Sequence, residues 1–359
     1  MTQNTKTALV ALVIFVAMVS TLAVAPVGFV AWDPGQTVDL LAEGPDGPAV
    51  EVAGAPTYAA GGHLMLATVT QTAADTALRF PEAVFRHLLP DHDVRPWSRV
   101  YDPGATNALV VEQDRAAMAT SQEAAAVAAL RAAGLPVAEF ARVTDVPATA
   151  PAAGRLRAGD VVLTVNGVSV ATPAEAIAEV RRNAVGGLAQ ITLRRPGAQA
   201  VVQEDVRLGP LANEPEVPTL GVTWGQGYEH AADVAFRIDP AIGGNSAGLA
   251  LGLAVYDRLT PGSLTGGDQV AAAGVLDLIE PADYRIAEVR RVQAIREKLA
   301  AARERGATVF LMPGGNCADL GPEAGPDGLR VIPVASFHAA VEILTDLAAK
   351  GDAARVPRC

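Results

Sequence analysis

A serine and a lysine are the residues of this chain whose types and settings could together do chemistry. Ser246 lies in Pro240-Ala-Ile-Gly-Gly-Asn-Ser-Ala-Gly-Leu249, a small glycine-rich turn at the mouth of an apolar helical stretch over 247–259. A serine at a helix N-terminus sits among backbone N–H groups that lack intrahelical partners. The helix dipole favours negative charge there, so an oxyanion could be held. Lys298 falls in a second helical segment, in Ile295-Arg-Glu-Lys298. Serine and lysine form a nucleophile-and-base pair when the lysine is neutral, and that requires burial to lower its pKa.

The elements that must position this pair read as an alternating α/β pattern. Ala232–Asp239 reads as a strand before the turn, and 268–275 as a buried strand. A helix follows over 288–305, with Val289, Val292, Ile295, Leu299 and Ala302 on one face, and Ala307–Met312 is a second buried strand. Leu329–Val334 reads as a strand and 336–350 as a closing helix. The short run Gly244-Asn-Ser-Ala-Gly248 also satisfies Gly-x-Ser-x-Gly, the elbow of α/β-hydrolases, with Asp319 or Asp327 and then His338 in the required order. Against that reading, Pro240 and two glycines separate the serine from its strand, and His338 lies within a helix.

Composition narrows the classes. The chain has 359 residues, half of them hydrophobic, and a net charge of −11. That charge and the lack of a basic patch exclude a nucleic-acid partner. Two cysteines, Cys317 and Cys359, cannot build a cysteine-based zinc cluster but permit one disulfide outside the cytoplasm; no metal or cofactor is expected. Thr7 to Trp32 carries no charge, and 8–30 is almost wholly apolar, long enough to cross a bilayer. Lys6 precedes the run and the next cation is Arg79, which predicts a cytoplasmic N-terminus with the bulk of the chain outside. Pro26 is expected to kink the outer end of the span and Asp33-Pro-Gly35 to end it in a turn. A signal peptide cleaved after Ala23-Val-Ala25 is the alternative, disfavoured because Pro26 would follow the cut.

Between span and serine lie two further regions. Residues 34–130 read as mixed helix and strand, including Val50–Ala53, Gly62–Thr70, a short helix over 81–89 and a long one over 112–133. Residues 131–209 contain Gly154-Arg-Leu-Arg-Ala-Gly-Asp160, then Val161–Val165, an Asn166-Gly167 hairpin turn and a helix opened by Thr172-Pro173 with Glu175 completing a capping box. That order strongly resembles a PDZ domain. The resemblance implies binding of an extended peptide by strand addition, with Gly134-Leu-Pro-Val137 as the carboxylate-binding loop. Residues 210–219 read as a linker.

The last region resembles the proteolytic domain of Lon-type serine peptidases, on Gly243-Gly-Asn-Ser-Ala-Gly-Leu249, Val255–Gly267, Ile295–Lys298, Ala301–Leu311 and Pro313–Cys317. The single span, Gly62–Val69 and Met118–Gln122 extend the likeness to the membrane-anchored, PDZ-containing Lon-like peptidases of bacteria; a Walker A run is absent. The resemblance implies an α+β multidomain chain: span 1–33, N-terminal α/β region 34–130, PDZ domain 131–209, linker 210–219 and Lon-like domain 220–359. It implies Ser246 as nucleophile and Lys298 as general base, with Gly244, Asn245 and Ala247 forming the oxyanion turn. Substrates would be peptides or unfolded proteins, and Lon-type domains commonly form homo-oligomeric rings. It further implies a disulfide between Cys317 and Cys359. Three departures cluster near the lysine. Ala273 stands where the family has a threonine that bonds the lysine, Arg291-Val-Gln-Ala294 replaces Pro-Ile-Gly-Gly, and the segment 278–288 is longer than the family's turn. These changes make a catalytically weakened or silent peptide-binding scaffold the alternative function.

Overall fold

The computed structural model describes residues 3–44, 47–198, 200–278, 287–320, 326–350 and 357–359. They divide into two units, one formed by Met1–Leu135 with Ala232–Cys359 and the other by Pro136–Ala231.

The first unit is built on a six-stranded sheet in the order Arg330–Val334, Val309–Pro313, Gln269–Ala272, His63–Gln71, Phe29–Asp39, Asp93–Pro96. The first four strands run parallel, and the last two join antiparallel. Val309–Pro313 is buried along its whole length, as a parallel strand covered on both faces must be. This ladder corrects the division into separate domains over 34–130 and 220–359. Val270 pairs with Leu64 on one side and Val309 on the other. A boundary there would strip the central strand of half its backbone partners. The longer 278–288 segment falls mostly on 279–286, outside the described residues; its flanks, Val275–Leu278 and Ala287–Arg290, pair antiparallel.

The apolar N-terminal run forms a helix over Gln3–Val24, with none of its residues buried and an 18-residue stretch of mean hydropathy 2.6. At 1.5 Å per residue it is about 33 Å long, enough for a hydrocarbon core of about 30 Å. Pro26 does not kink this helix but follows its end. A residue before proline is pushed out of the helical region, and Pro26–Val27 instead pairs with Leu78–Arg79. Asp33-Pro-Gly35 is not a turn either. It lies inside the strand Phe29–Asp39, where a register shift between Pro34 and Thr37 accommodates the missing donor.

The second unit is a sheet ordered Val201–Arg207, Leu188–Arg194, Val161–Val165, Val137–Asp145, Thr223–His230, with the helix Pro173–Arg181 packed on it. Alternate residues of the strands, including Val143, Val162, Val165, Ile191 and Leu193, form its core. Asn166 and Gly167 take φ of 51° and 79°, the two left-handed residues of a tight hairpin turn. The Thr172 hydroxyl accepts from the Glu175 amide at 3.2 Å, and the Glu175 carboxylate accepts from the Ala171 amide at 2.7 Å. The expected boundaries shift here. Residues 210–219 are not a linker, since Gly209–Leu211 and Glu214–Thr219 form a hairpin. Thr223–His230, assigned above to the Lon-like domain, pairs with Val137–Asp145 from Trp224↔Val143 to His230↔Val137.

Candidate active site

The helix Gly248–Leu259 begins two residues after Ser246, with Ala247 at its N-cap and no side-chain cap. Backbone bonds hold the serine in place. Its carbonyl accepts from the Gly274 amide at 2.9 Å, and the Leu249 amide donates back to the Gly274 carbonyl at 3.0 Å. The start of the helix is thereby stitched to the end of the central strand Gln269–Ala272. Only glycine suits position 274, because a Cβ there would lie 2.6 Å from Val289 Cγ1 and 3.1 Å from Leu249 Cβ. The turn itself is tied to the long helix Asn107–Ala132. The Gly244 amide donates to the Asp114 carbonyl at 2.9 Å, and the Ser121 hydroxyl donates to the Asn245 carbonyl at 3.2 Å. The Gly244 N–H is thus committed to a backbone carbonyl. Of the three expected turn residues, Gly244 therefore has its amide occupied.

Lys298 reaches the serine from the helix Ile295–Glu304, which packs on Phe29–Asp39 and His63–Gln71. Its Nζ lies 3.0 Å from Ser246 Oγ and 3.3 Å from the Ala67 carbonyl. The residue is only 4% exposed. Desolvation brings its pKa from 10.5 down to about 8, with the neighbouring Glu297 opposing the shift. Burial also raises the pKa of Glu297. Ala273 is fully buried and supplies no hydroxyl; the lysine's second partner is a main-chain carbonyl from His63–Gln71, part of the region the sequence reading had set apart as 34–130. Ala294, where the resemblance expects a glycine, caps this helix in the left-handed conformation, φ 53° and ψ 46°. The amide of Lys298 donates to its carbonyl at 3.2 Å.

Asp319 and His338, two of the three residues the elbow reading named, are engaged elsewhere. Asp319 pairs with Arg291 at 2.8 Å and His338 with Glu342 at 3.1 Å. Cys317 and Cys359 are joined in a disulfide with Cα atoms 5.2 Å apart, fastening the chain end beside the Pro313–Cys317 turn. Sequence reasoning missed Asp114, Ser121 and Ala67. Two of them act through backbone carbonyls, which leave no side-chain signal. Ser121 sat within Met118–Gln122, noted for its resemblance but given no task.

The segment Gly134–Val137 does not precede an edge strand, as a carboxylate-binding loop would. It leads into Val137–Asp145, an inner strand flanked by Val161–Val165 and Thr223–His230. The outer strand beside the helix Pro173–Arg181 is Thr223–His230, entered from Leu220-Gly221, where Gly221 has φ +72°. Gln226 Nε2 donates to the Ala171 carbonyl at 3.1 Å, linking that strand to the approach of the helix.

Among known proteins, the PDZ-domain family model matches residues 118–205. The PDZ domain of an SdrC-like protein from Listeria monocytogenes is 24% identical, covering 24% of this chain and 86% of that one, with a TM-score of 0.22. Its counterpart from Listeria innocua is 23% identical, covering 24% and 92%, with a TM-score of 0.22. A solution structure from Geobacillus thermodenitrificans is 30% identical over 23% of this chain and 94% of that one, with a TM-score of 0.21. No curated protein matches the chain. The chain therefore contains a PDZ domain. The matched range stops short of Thr223–His230, the strand that completes its sheet.

Proposed function

We propose that this chain is a membrane-anchored, ATP-independent serine endopeptidase of the Lon-like type, with Ser246 as nucleophile and Lys298 as general base. The observation that carries this reading is the 3.0 Å approach of a buried lysine to the serine at a helix mouth. With a pKa of about 8, roughly a tenth of the lysine is neutral at pH 7. In that form Nζ accepts the Oγ proton as Oγ attacks the peptide carbonyl. The carbonyl electrons move onto oxygen, facing the Asn245 and Ala247 amides and the positive end of the helix. The lysinium then gives its proton to the leaving nitrogen as the C–N bond breaks. A water, deprotonated by the same lysine, releases the acyl group and restores the serine hydroxyl. The Ala67 carbonyl holds Nζ on the serine throughout.

Substrates in this reading are unfolded or membrane-proximal polypeptides outside the cytoplasm. The span with Lys6 on its inner side supports that topology, as does the Cys317–Cys359 disulfide. The PDZ domain takes peptide on the open edge of Thr223–His230, beside Pro173–Arg181. A homo-oligomeric ring accompanies the Lon-like reading and is measurable as the mass of the detergent-solubilised protein.

The second reading, a peptide-binding scaffold without proteolysis, is favoured by the PDZ match. Casein cleavage by the full chain in detergent near pH 8, beside its Ser246→Ala variant, separates the two. Loss of cleavage in the variant supports the peptidase; equal cleavage, or none in either protein, leaves the scaffold.

A further inference from the structure

The helix Phe80–Leu88 carries a largely exposed apolar face. Phe80, Pro81, Val84, Phe85 and Leu88 fall within an arc of about 140° at 100° per residue. Phe85 is 63% and Leu88 75% exposed, a costly arrangement in water for side chains of this size. The opposite side is polar and fixed. Arg86 binds the Asp33 carboxylate and pairs with Glu82 at 3.0 Å, while Ala83 is buried against the unit. These contacts lock the roll of the helix, so the apolar face is held outward.

Its position is fixed as well. The Phe80 amide donates to the Ala25 carbonyl at 3.0 Å, and Pro26–Val27 pairs with Leu78–Arg79. The first residue of the helix is therefore bonded to the chain one residue beyond the apolar helix Gln3–Val24. Val19, Leu22 and Ala23 of that helix line one apolar cleft with Phe80, Val84 and Leu88. The lipid-facing surface of the span thus continues without a break onto Phe80–Leu88.

We infer that Phe80–Leu88 lies in the outer interface of the bilayer. Phe85 and Leu88 are immersed among lipid headgroups and upper acyl chains, while Glu82 and Arg86 face the protein and water. The span alone is a swivelling tether. A second, short amphipathic contact bonded to its end sets the height and tilt of the first unit over the membrane. The inference rests on the membrane-anchored reading, and the bilayer is the occupant because the face is continuous with the span.

The test uses the full chain in phosphatidylcholine–phosphatidylglycerol vesicles, with one environment-sensitive fluorophore on Phe85→Cys, Leu88→Cys, Glu82→Cys or Leu12→Cys; the native cysteines are paired. Labels at 85 and 88 are expected to be quenched several-fold more by lipid-borne nitroxide than the label at 82, and to be shielded from aqueous iodide. Iodide quenching at 85 and 88 equal to that at 82 overturns the inference. So does a blue-shifted label that resists both quenchers, which would mean a second protein copy covers the face. Nitroxide quenching at Leu12 reports the span independently. If it is present while 85 and 88 fail, the anchor stands and the interfacial helix falls; if it is absent, both fall.

Discussion

The two ends of the candidate dyad are built on different principles. Ser246 is held by main-chain geometry: reciprocal bonds to Gly274, a helix start, and a turn pinned by Asp114 and Ser121. Lys298 is held by burial, in a pocket that penalises its charge, in the first turn of a helix opened by a strained alanine. The lysine end stores free energy in the folded state, because burial penalises its charged form; the proposed chemistry needs the neutral amine.

The contrast predicts unequal stability effects from the two most damaging substitutions. Ser246→Ala and Lys298→Met should each lower casein cleavage by roughly a thousandfold or more. Ser246→Ala should leave thermal stability nearly unchanged. Lys298→Met removes a group whose folded pKa of about 8 lies below its unfolded 10.5. Below pH 8 that difference destabilises the native state by up to about 3 kcal/mol at 1.36 kcal/mol per unit. The unfolded chain keeps the proton up to its higher pKa, so native stability recovers as pH rises from 8 to 10.5. The melting temperature of Lys298→Met should therefore exceed wild type at pH 7 and converge with it near pH 10. Equal melting temperatures at pH 7 would break the comparison. The same pKa predicts kcat/KM rising about tenfold per pH unit below 8 and levelling above it; a profile flat from pH 6 to 9 would remove Lys298 as the base.

The rigid end can be loosened without touching either functional group. Gly274→Ala places a methyl 2.6 Å from Val289 Cγ1, which should cost about 1–3 kcal/mol of stability. Because Gly274 also holds the Ser246 carbonyl, kcat should fall by roughly ten- to a hundredfold while KM stays within a few-fold. A stability loss with unchanged kcat would mean that this stitch does not position the serine.

What could be read from the sequence followed the same division. The serine turn, the Asn166-Gly167 hairpin and the Thr172–Glu175 cap are local signals, since each is specified by adjacent residue types acting on their own backbone. The joining of 34–130 to 220–359 in one sheet was not legible. Parallel strands such as His63–Gln71 and Gln269–Ala272 are short apolar runs whose partners lie some two hundred residues apart, and nothing in either run encodes the other. The place of Thr223–His230 in the second unit is hidden for a related reason. Its partner Val137–Asp145 precedes it by a whole domain, while its nearest neighbours in sequence belong to the serine region. The lysine's second partner was equally illegible: Ala273 offers no hydroxyl, and the Nζ hydrogen bond goes to a main-chain carbonyl on another strand, at Ala67.

The smallest expected effect concerns Ala294, and it decides whether the lysine helix is strained by accident or by need. A non-glycine residue at φ 53° costs roughly 1–2 kcal/mol. Ala294→Gly removes that strain but also removes a methyl that is 8% exposed among Val30, Trp32 and Tyr101, a loss of about 0.8 kcal/mol. The two terms nearly cancel, so the variant should be as stable as wild type or gain under about 1 kcal/mol. Ala294→Val, β-branched at the same φ, should lose more than about 2 kcal/mol. If Ala294→Gly also keeps kcat within a few-fold, the replacement of the expected glycine is conformationally neutral and the lysine is placed by burial alone. If kcat falls while stability holds, the alanine methyl is what sets the direction of the helix, and the lysine end is as geometrically specified as the serine end.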